Sequence, residues 1–152
     1  MIGEAQNAKW KLLVAPQVAD GALFASNGYI DTLGFGYAEF VIALGAMADT
    51  VGTTGATTAP VIEECETYNG SYTEIAAAVL STYIATTYAN TLYKIDVNLQ
   101  NRTNKRYMRV KAPYAGSTGA GAYGAILARL SKPQGVAPAT ATERGFTENI
   151  LA

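Results

Sequence analysis

Residues 92–114, LYKIDVNLQNRTNKRYMRVKAPY, alternate apolar and polar side chains with a period of two, twice over. In the first run Tyr93, Ile95, Val97 and Leu99 share one face, and Lys94, Asp96 and Asn98 share the other. In the second, Met108, Val110 and Ala112 oppose Tyr107, Arg109 and Lys111. That period excludes a helix and describes two strands, each with one face on a core and one in water. The polar run 100–105 between them predicts a hairpin with Ile95 opposite Val110, Val97 opposite Met108 and Asp96 opposite Arg109. A slip of two residues would keep the faces and change the partners, and this register leaves Lys94 facing Lys111. In either register Ile95, Val97, Met108 and Val110 are predicted core.

Other segments read in the same way. Residues 10–14, 29–33, 37–47 and 123–130 are expected strands, the first closed by Pro16 and the third preceded by a bend at Gly34-Phe35-Gly36. Residues 61–75, VIEECETYNGSYTEI, predict a second hairpin around Asn69-Gly70. A two-residue turn would place Glu64 opposite Ile75 and make the faces disagree. A three-residue turn instead sets Cys65 opposite Thr73 and Glu63 opposite Ile75, leaving Glu64 and Glu66 in water with Tyr72 and Glu74. Residues 76–89 are ambiguous, since the alanines allow a helical turn and Thr82, Thr86 and Thr87 oppose a long helix. Segments 49–60 and 116–121 are small and Gly/Thr-rich, hence loops.

The sum is an all-β chain, an antiparallel β-sandwich of jelly-roll-like form over residues 9–131, with an N-terminal extension at 1–8 and an extended C-terminal arm at 132–152. Pro133, Gly135 and Pro138 break sheet alternation in the arm, which nonetheless carries Phe146, Ile150 and Leu151 near its end. Burying each of these would contribute roughly 1.5–3 kcal/mol, against about 1–2 kcal/mol per residue for ordering the backbone. Three anchors alone do not offset that cost, so the arm requires main-chain hydrogen bonds or a partner; packing along its own sheet is the alternative.

Composition removes whole classes of chemistry. The chain has no histidine, which excludes Ser-His-Asp and Cys-His nucleophile systems and histidine metal sites. The single cysteine, Cys65, cannot form an internal disulfide or a thiolate cluster and reads as a small core residue. No cofactor or metal is expected. A net charge of -1 gives no field that would attract nucleic acid or an acidic membrane. No apolar run approaches the roughly 20 residues of a membrane span, and Lys9 and Lys11 interrupt any secretory h-region, so a product made in a cytoplasm is expected.

Two charged clusters remain. Glu63, Glu64, Glu66 and Glu74 are capable of acid–base work, and a hydrolase using Glu63 and Glu74 would need one carboxyl in an apolar pocket; on adjacent strands such residues form a solvated face. Arg102, Lys105, Arg106, Arg109 and Lys111, with Tyr107 and Tyr114 between them, form the opposite patch. Arg102, Arg106, Arg109 and Lys111 are read as a docking surface for protein rather than for single-stranded nucleic acid. The loop 116–121 lacks the lysine and helix of a phosphate loop.

Three segments in this order, YIDTLGFGYAEFVIALGAM, TYNGSYTEI and LYKIDVNLQNRTNKRYMRVKA, resemble small structural proteins of tailed bacteriophages, head decoration (cement) proteins in particular. The likeness spans residues 29–130. It implies a non-enzymatic virion protein on the capsid exterior, assembled in the host cytoplasm, that binds the major capsid protein, bridges neighbouring subunits and forms a homo-oligomer, a trimer by preference. In that reading Phe146, Ile150 and Leu151 anchor the arm to a neighbour. The alternative is a carbohydrate- or receptor-binding sandwich of a phage tail or baseplate, with Tyr29, Tyr37, Tyr72 and Tyr88 stacking on sugars.

Overall fold

Among the described residues, the strands pair across long stretches of sequence, apart from one tight hairpin near the middle of the chain. The computed structural model describes residues 7–19, 28–48, 51, 59–81, 84–100, 102, 105–112, 122–135, 138, 140 and 142–146. Among them are β1 (Lys9–Ala19), β2 (Ile30–Asp31), β3 (Phe35–Met47), β4 (Val61–Cys65), β5 (Thr73–Val79), β6 (Leu92–Asn98), β7 (Tyr107–Lys111) and β8 (Ala122–Pro133). They form two four-stranded antiparallel sheets, ordered β1-β8-β3-β6 and β2-β7-β4-β5. The pairs β1·β8, β2·β7, β3·β6 and β4·β5 are nested, like one antiparallel ribbon folded back on itself with the β4–β5 hairpin at its tip. The cross-pairings β3·β8 and β4·β7 then close each sheet. This is the connectivity of a jelly roll, a sandwich of two Greek keys.

The inner faces make one apolar cluster. Ala38, Phe40, Ile42, Ile95, Val97, Ile126, Ala128 and Leu130 of the first sheet meet Ile30, Ile62, Ile75, Met108 and Val110 of the second. Across the β3·β8 pair Phe40 lies against Ala128 and Leu130 against Ala38, while Ile42 meets Ile126. The four core residues expected from the alternation of β6 and β7 are all buried.

Their partners are not those expected. The strands β6 and β7 belong to different sheets and do not form a hairpin. Ile95 lies opposite Phe40 and Val97 opposite Ala38, while Val110 lies opposite Ile62 and Arg109 opposite Glu63. The cause is electrostatic as well as apolar: Arg109 and Lys111 gain acids on β4 and β5, and the Lys94–Lys111 clash of the local hairpin is avoided.

The β4–β5 hairpin forms, in a register one residue from the three-residue reading, with Glu63 opposite Glu74 and Glu64 opposite Thr73. The faces of β4 are consequently reversed. Glu64 shares the side of Ile62, while Glu63 and Cys65 point away from the sandwich beside Arg109 and Tyr107. Three further boundaries move. Strand β1 continues past Pro16 because it bulges there at the rim of its sheet, where no ladder N–H is needed. The ambiguous stretch 76–89 gives the end of β5, an isolated bridge of Ile84 to Val51, and a 3₁₀ turn at Thr86–Tyr88. Strand β8 runs to Pro133, two residues into the stretch assigned to the arm.

The described part of the arm returns to its own sheet. Trp10 N–H donates to the Arg144 carbonyl at 2.6 Å, and the Phe146 ring lies 6.3 Å from that of Trp10. Gly145 has φ +89°, and a Cβ there would collide with the Trp10 carbonyl oxygen, so this docking needs glycine. Ile150 and Leu151 lie outside the described residues, as do the N-terminal residues 1–6 and the loop 116–121. Since Trp10 is the sole tryptophan, its emission reports on the contact. Phe146→Ala is expected to shift that emission to the red and to cost about 1 kcal/mol in urea unfolding; unchanged emission would contradict the docking.

Candidate functional site

Because β4, β5 and β7 place alternate side chains outward, the outer face of the second sheet brings together Glu63, Glu74, Arg109 and Lys111, which the sequence had set in two separate clusters. Glu63, 5% exposed, accepts from Arg109 Nε at 2.7 Å and lies 3.8 Å from Lys111 Nζ. Lys111 also donates to Glu74 at 2.8 Å, a bond that holds its ammonium above the ordinary lysine value. Arg102 Nη1 reaches Glu64 at 2.5 Å, and Arg106 makes a two-pronged pair with Asp31. All four cations singled out from the sequence therefore sit in ion pairs. Glu63 and Glu74, the carboxylates weighed for hydrolysis, are held by cations instead of standing in an apolar pocket. Among the described residues no group of three His, Cys, Asp or Glu is arranged to hold a metal ion, and no helix is long and apolar enough to cross a membrane.

Next to these pairs lies an aromatic site. Tyr29, Tyr68 and Tyr107 pack as a trio, with centroids 5.8 Å apart for Tyr29–Tyr68 and near-perpendicular contacts to Tyr107 at 5.5 and 6.3 Å. The Arg109 guanidinium lies 4.2 Å over Tyr72, whose hydroxyl donates to the Tyr68 carbonyl. Burial pushes the Tyr72 phenol above its ordinary value. Together Tyr29, Tyr68, Asn69, Gly70, Tyr72 and Arg109 line a hollow of about 330 Å³. Of the tyrosines singled out for stacking, Tyr29 and Tyr72 meet here, whereas Tyr37 is on the first sheet beside Lys132 and Tyr88 on the 3₁₀ turn. Tyr68 was not expected to join a stacking site and Tyr107 was placed only in the basic patch; the Asn-Gly turn that carries Tyr68 to Tyr107 is the one signal that could have placed them together.

The outer face of the first sheet has a different character. Glu39, flanked by Arg129 at 2.5 Å and Lys94 at 3.6 Å, makes one end polar. Toward the other end Leu12, Val41, Ala43, Leu92, Tyr123, Ala125 and Leu127 share the outward side, as their pairings require. Leu92 is 73% exposed, Tyr123 56% and Leu12 51%. A shallow groove of about 560 Å³ between Pro16, Ala43, Gly45 and Tyr123 adjoins them.

No protein-family model matches the chain, and no curated protein matches it. Among solved structures it is similar to the N-terminal endo-1,4-β-D-xylanase 10B of Clostridium thermocellum, CBM22-1 and GH10 modules, complexed with xylohexaose, at 8% identity and a TM-score of 0.41. The similarity covers 91% of this chain and 28% of that one, and at this level nothing about ligand or activity carries over.

Two outcomes follow from the ion pairs. Arg109→Met leaves Glu63 buried with only the more distant Lys111, and is expected to cost about 2–3 kcal/mol in denaturant unfolding, with Glu63→Gln costing less. Asp31 is opposed by burial, but its hydrogen bonds from Arg106 and the Leu33 N–H, together with nearby positive charge, hold its carboxyl below the ordinary value. A depressed folded-state pKa stabilises above the unfolded value and stops doing so as pH falls through the folded one. The stability difference between the wild type and Asp31→Asn is therefore expected to be fully present above about pH 5 and to shrink as pH falls below the ordinary carboxylate range in melting curves.

Proposed function

We propose that this chain is a non-enzymatic structural protein of a tailed phage, bound to the outside of the capsid, where it stabilises the shell by bridging major-capsid subunits. The observation that carries the reading is the apolar half of the first sheet's outer face. Leu12, Leu92 and Tyr123 stand exposed on a hydrogen-bonded sheet face, a poor arrangement for a face kept in water and a good one for a protein contact. The polar end at Glu39, Lys94 and Arg129 supplies a rim that sets orientation. The resemblance of residues 29–130 to head decoration proteins supplies the kind of partner.

In this proposal the chain works as a homo-oligomer, a trimer by preference, so that several weak contacts act at high effective concentration. Ile150 and Leu151 are the arm's anchors on a neighbour, while Phe146, expected to act with them, packs on the chain's own Trp10. Arg102, Arg106, Arg109 and Lys111 are paired with acids on or beside the second sheet and take no part in this contact.

Co-sedimentation with empty phage heads tests the proposal. The wild type is expected to bind, Leu92→Asp to bind about ten-fold more weakly or worse, and truncation after Phe146 to weaken binding while leaving the fold intact. Absence of the wild-type protein from the head pellet would overturn the reading, and equal retention of Leu92→Asp would remove the first sheet's face from it.

A further inference from the structure

We propose that the tyrosine hollow on the second sheet binds a neutral saccharide. This goes beyond the capsid reading and does not depend on it, since the hollow lies on the opposite side of the sandwich from the apolar face.

The hollow is built. Tyr29 and Tyr68 line the hollow with ring planes inclined at 34°, Tyr107 packs steeply against both, and the Lys11 ammonium, 4.6 Å over the Tyr29 ring, covers one face of it, so the exposed Tyr68 ring is the main stacking surface for the C–H face of a pyranose. Tyr72 forms the facing wall and is held from both sides, by its hydroxyl bond to Tyr68 and by Arg109 stacked on its ring. Gly70 forms the base, where a Cβ would meet Cys65 Sγ and Thr67 Oγ1 at 2.6 Å. Rings fixed in this way lose little freedom when a ligand arrives.

The polar groups select the ligand class. Asn69 has a carboxamide, and Arg109 directs Nε–H to Glu63 while carrying four more N–H groups on the same plane. Hydroxyl-rich ligands suit donors and acceptors of this kind around aromatic faces. An anion gains less, because Glu63, Arg109, Lys111 and Glu74 neutralise one another beside the hollow and Lys11 is engaged on the Tyr29 ring with Asp31 near it. A long apolar ligand would leave the amide and guanidinium unsatisfied. At about 330 Å³ the space suits one or two sugar units, which implies weak binding, on the order of 1 mM for a monosaccharide.

The test uses the full chain on an array of neutral hexose and N-acetylhexosamine oligosaccharides, followed by calorimetric titration of a bound one. Tyr68→Ala is expected to weaken binding at least about ten-fold. Asn69→Ala should weaken it by a smaller factor, and Tyr123→Ala on the opposite face should leave it unchanged. Tyr68 is 56% exposed, so its variant should keep the wild-type melting temperature and report on the hollow alone. The proposal is overturned if no arrayed saccharide binds, if Tyr68→Ala binds as the wild type does, or if the hollow takes proline-rich peptides and no sugar.

Discussion

The pairing of β3 with β8 is the interaction on which the rest of the molecule rests. These are the two interior strands of the first sheet, in register from Phe35–Pro133 to Met47–Ala122 with one irregularity. Ala38, Phe40 and Ile42 on one strand, and Ile126, Ala128 and Leu130 on the other, are fully buried. Strand β1 hangs on β8 and β6 on β3, so both rims of the sheet exist only once this pair has formed. The second sheet then has an apolar surface to cover. Since β3 and β8 stand about 90 residues apart, the fold carries a large loop-closure cost and is expected to form slowly.

Nested pairing also explains the division of surface chemistry. In a ribbon folded back on itself, each sheet has one face committed to the core and one left over. On the second sheet the leftover face gathers Glu63, Glu74, Arg109, Lys111 and the tyrosines, which satisfy one another and enclose a hollow. On the first sheet it gathers Leu12, Leu92 and Tyr123, which stand exposed. A body with one aromatic, polar face and one apolar face can hold two different partners at once. The proposed capsid contact and the proposed saccharide site occupy those two faces.

Much of this was legible in the residues, and the part that was not has a physical cause. Alternation reports which side of a strand is wet, and it placed Ile95, Val97, Met108 and Val110 in the core correctly. It carries no information about which strand lies alongside, so two strands adjacent in sequence were read as a hairpin although they belong to opposite sheets. The Asn-Gly turn of β4–β5 was recognisable, but its register slipped by one and inverted β4, because Glu63 in a buried ion pair with Arg109 looks from sequence like an inward residue only by error of parity. Pro16 inside β1 and the alanines of β5 gave local signals that tertiary pairing overrode. The hollow drew its tyrosines from three separate segments, which no spacing rule connects.

Backbone nuclear Overhauser contacts in the isolated protein test the nested arrangement most directly. The account predicts inter-strand backbone contacts between Phe40 and Ile95 and between Glu63 and Arg109, with none between Asp96 and Arg109. Backbone contacts between Asp96 and Arg109 would mean that β6 and β7 form a local hairpin, and would remove both outer faces as they are described above.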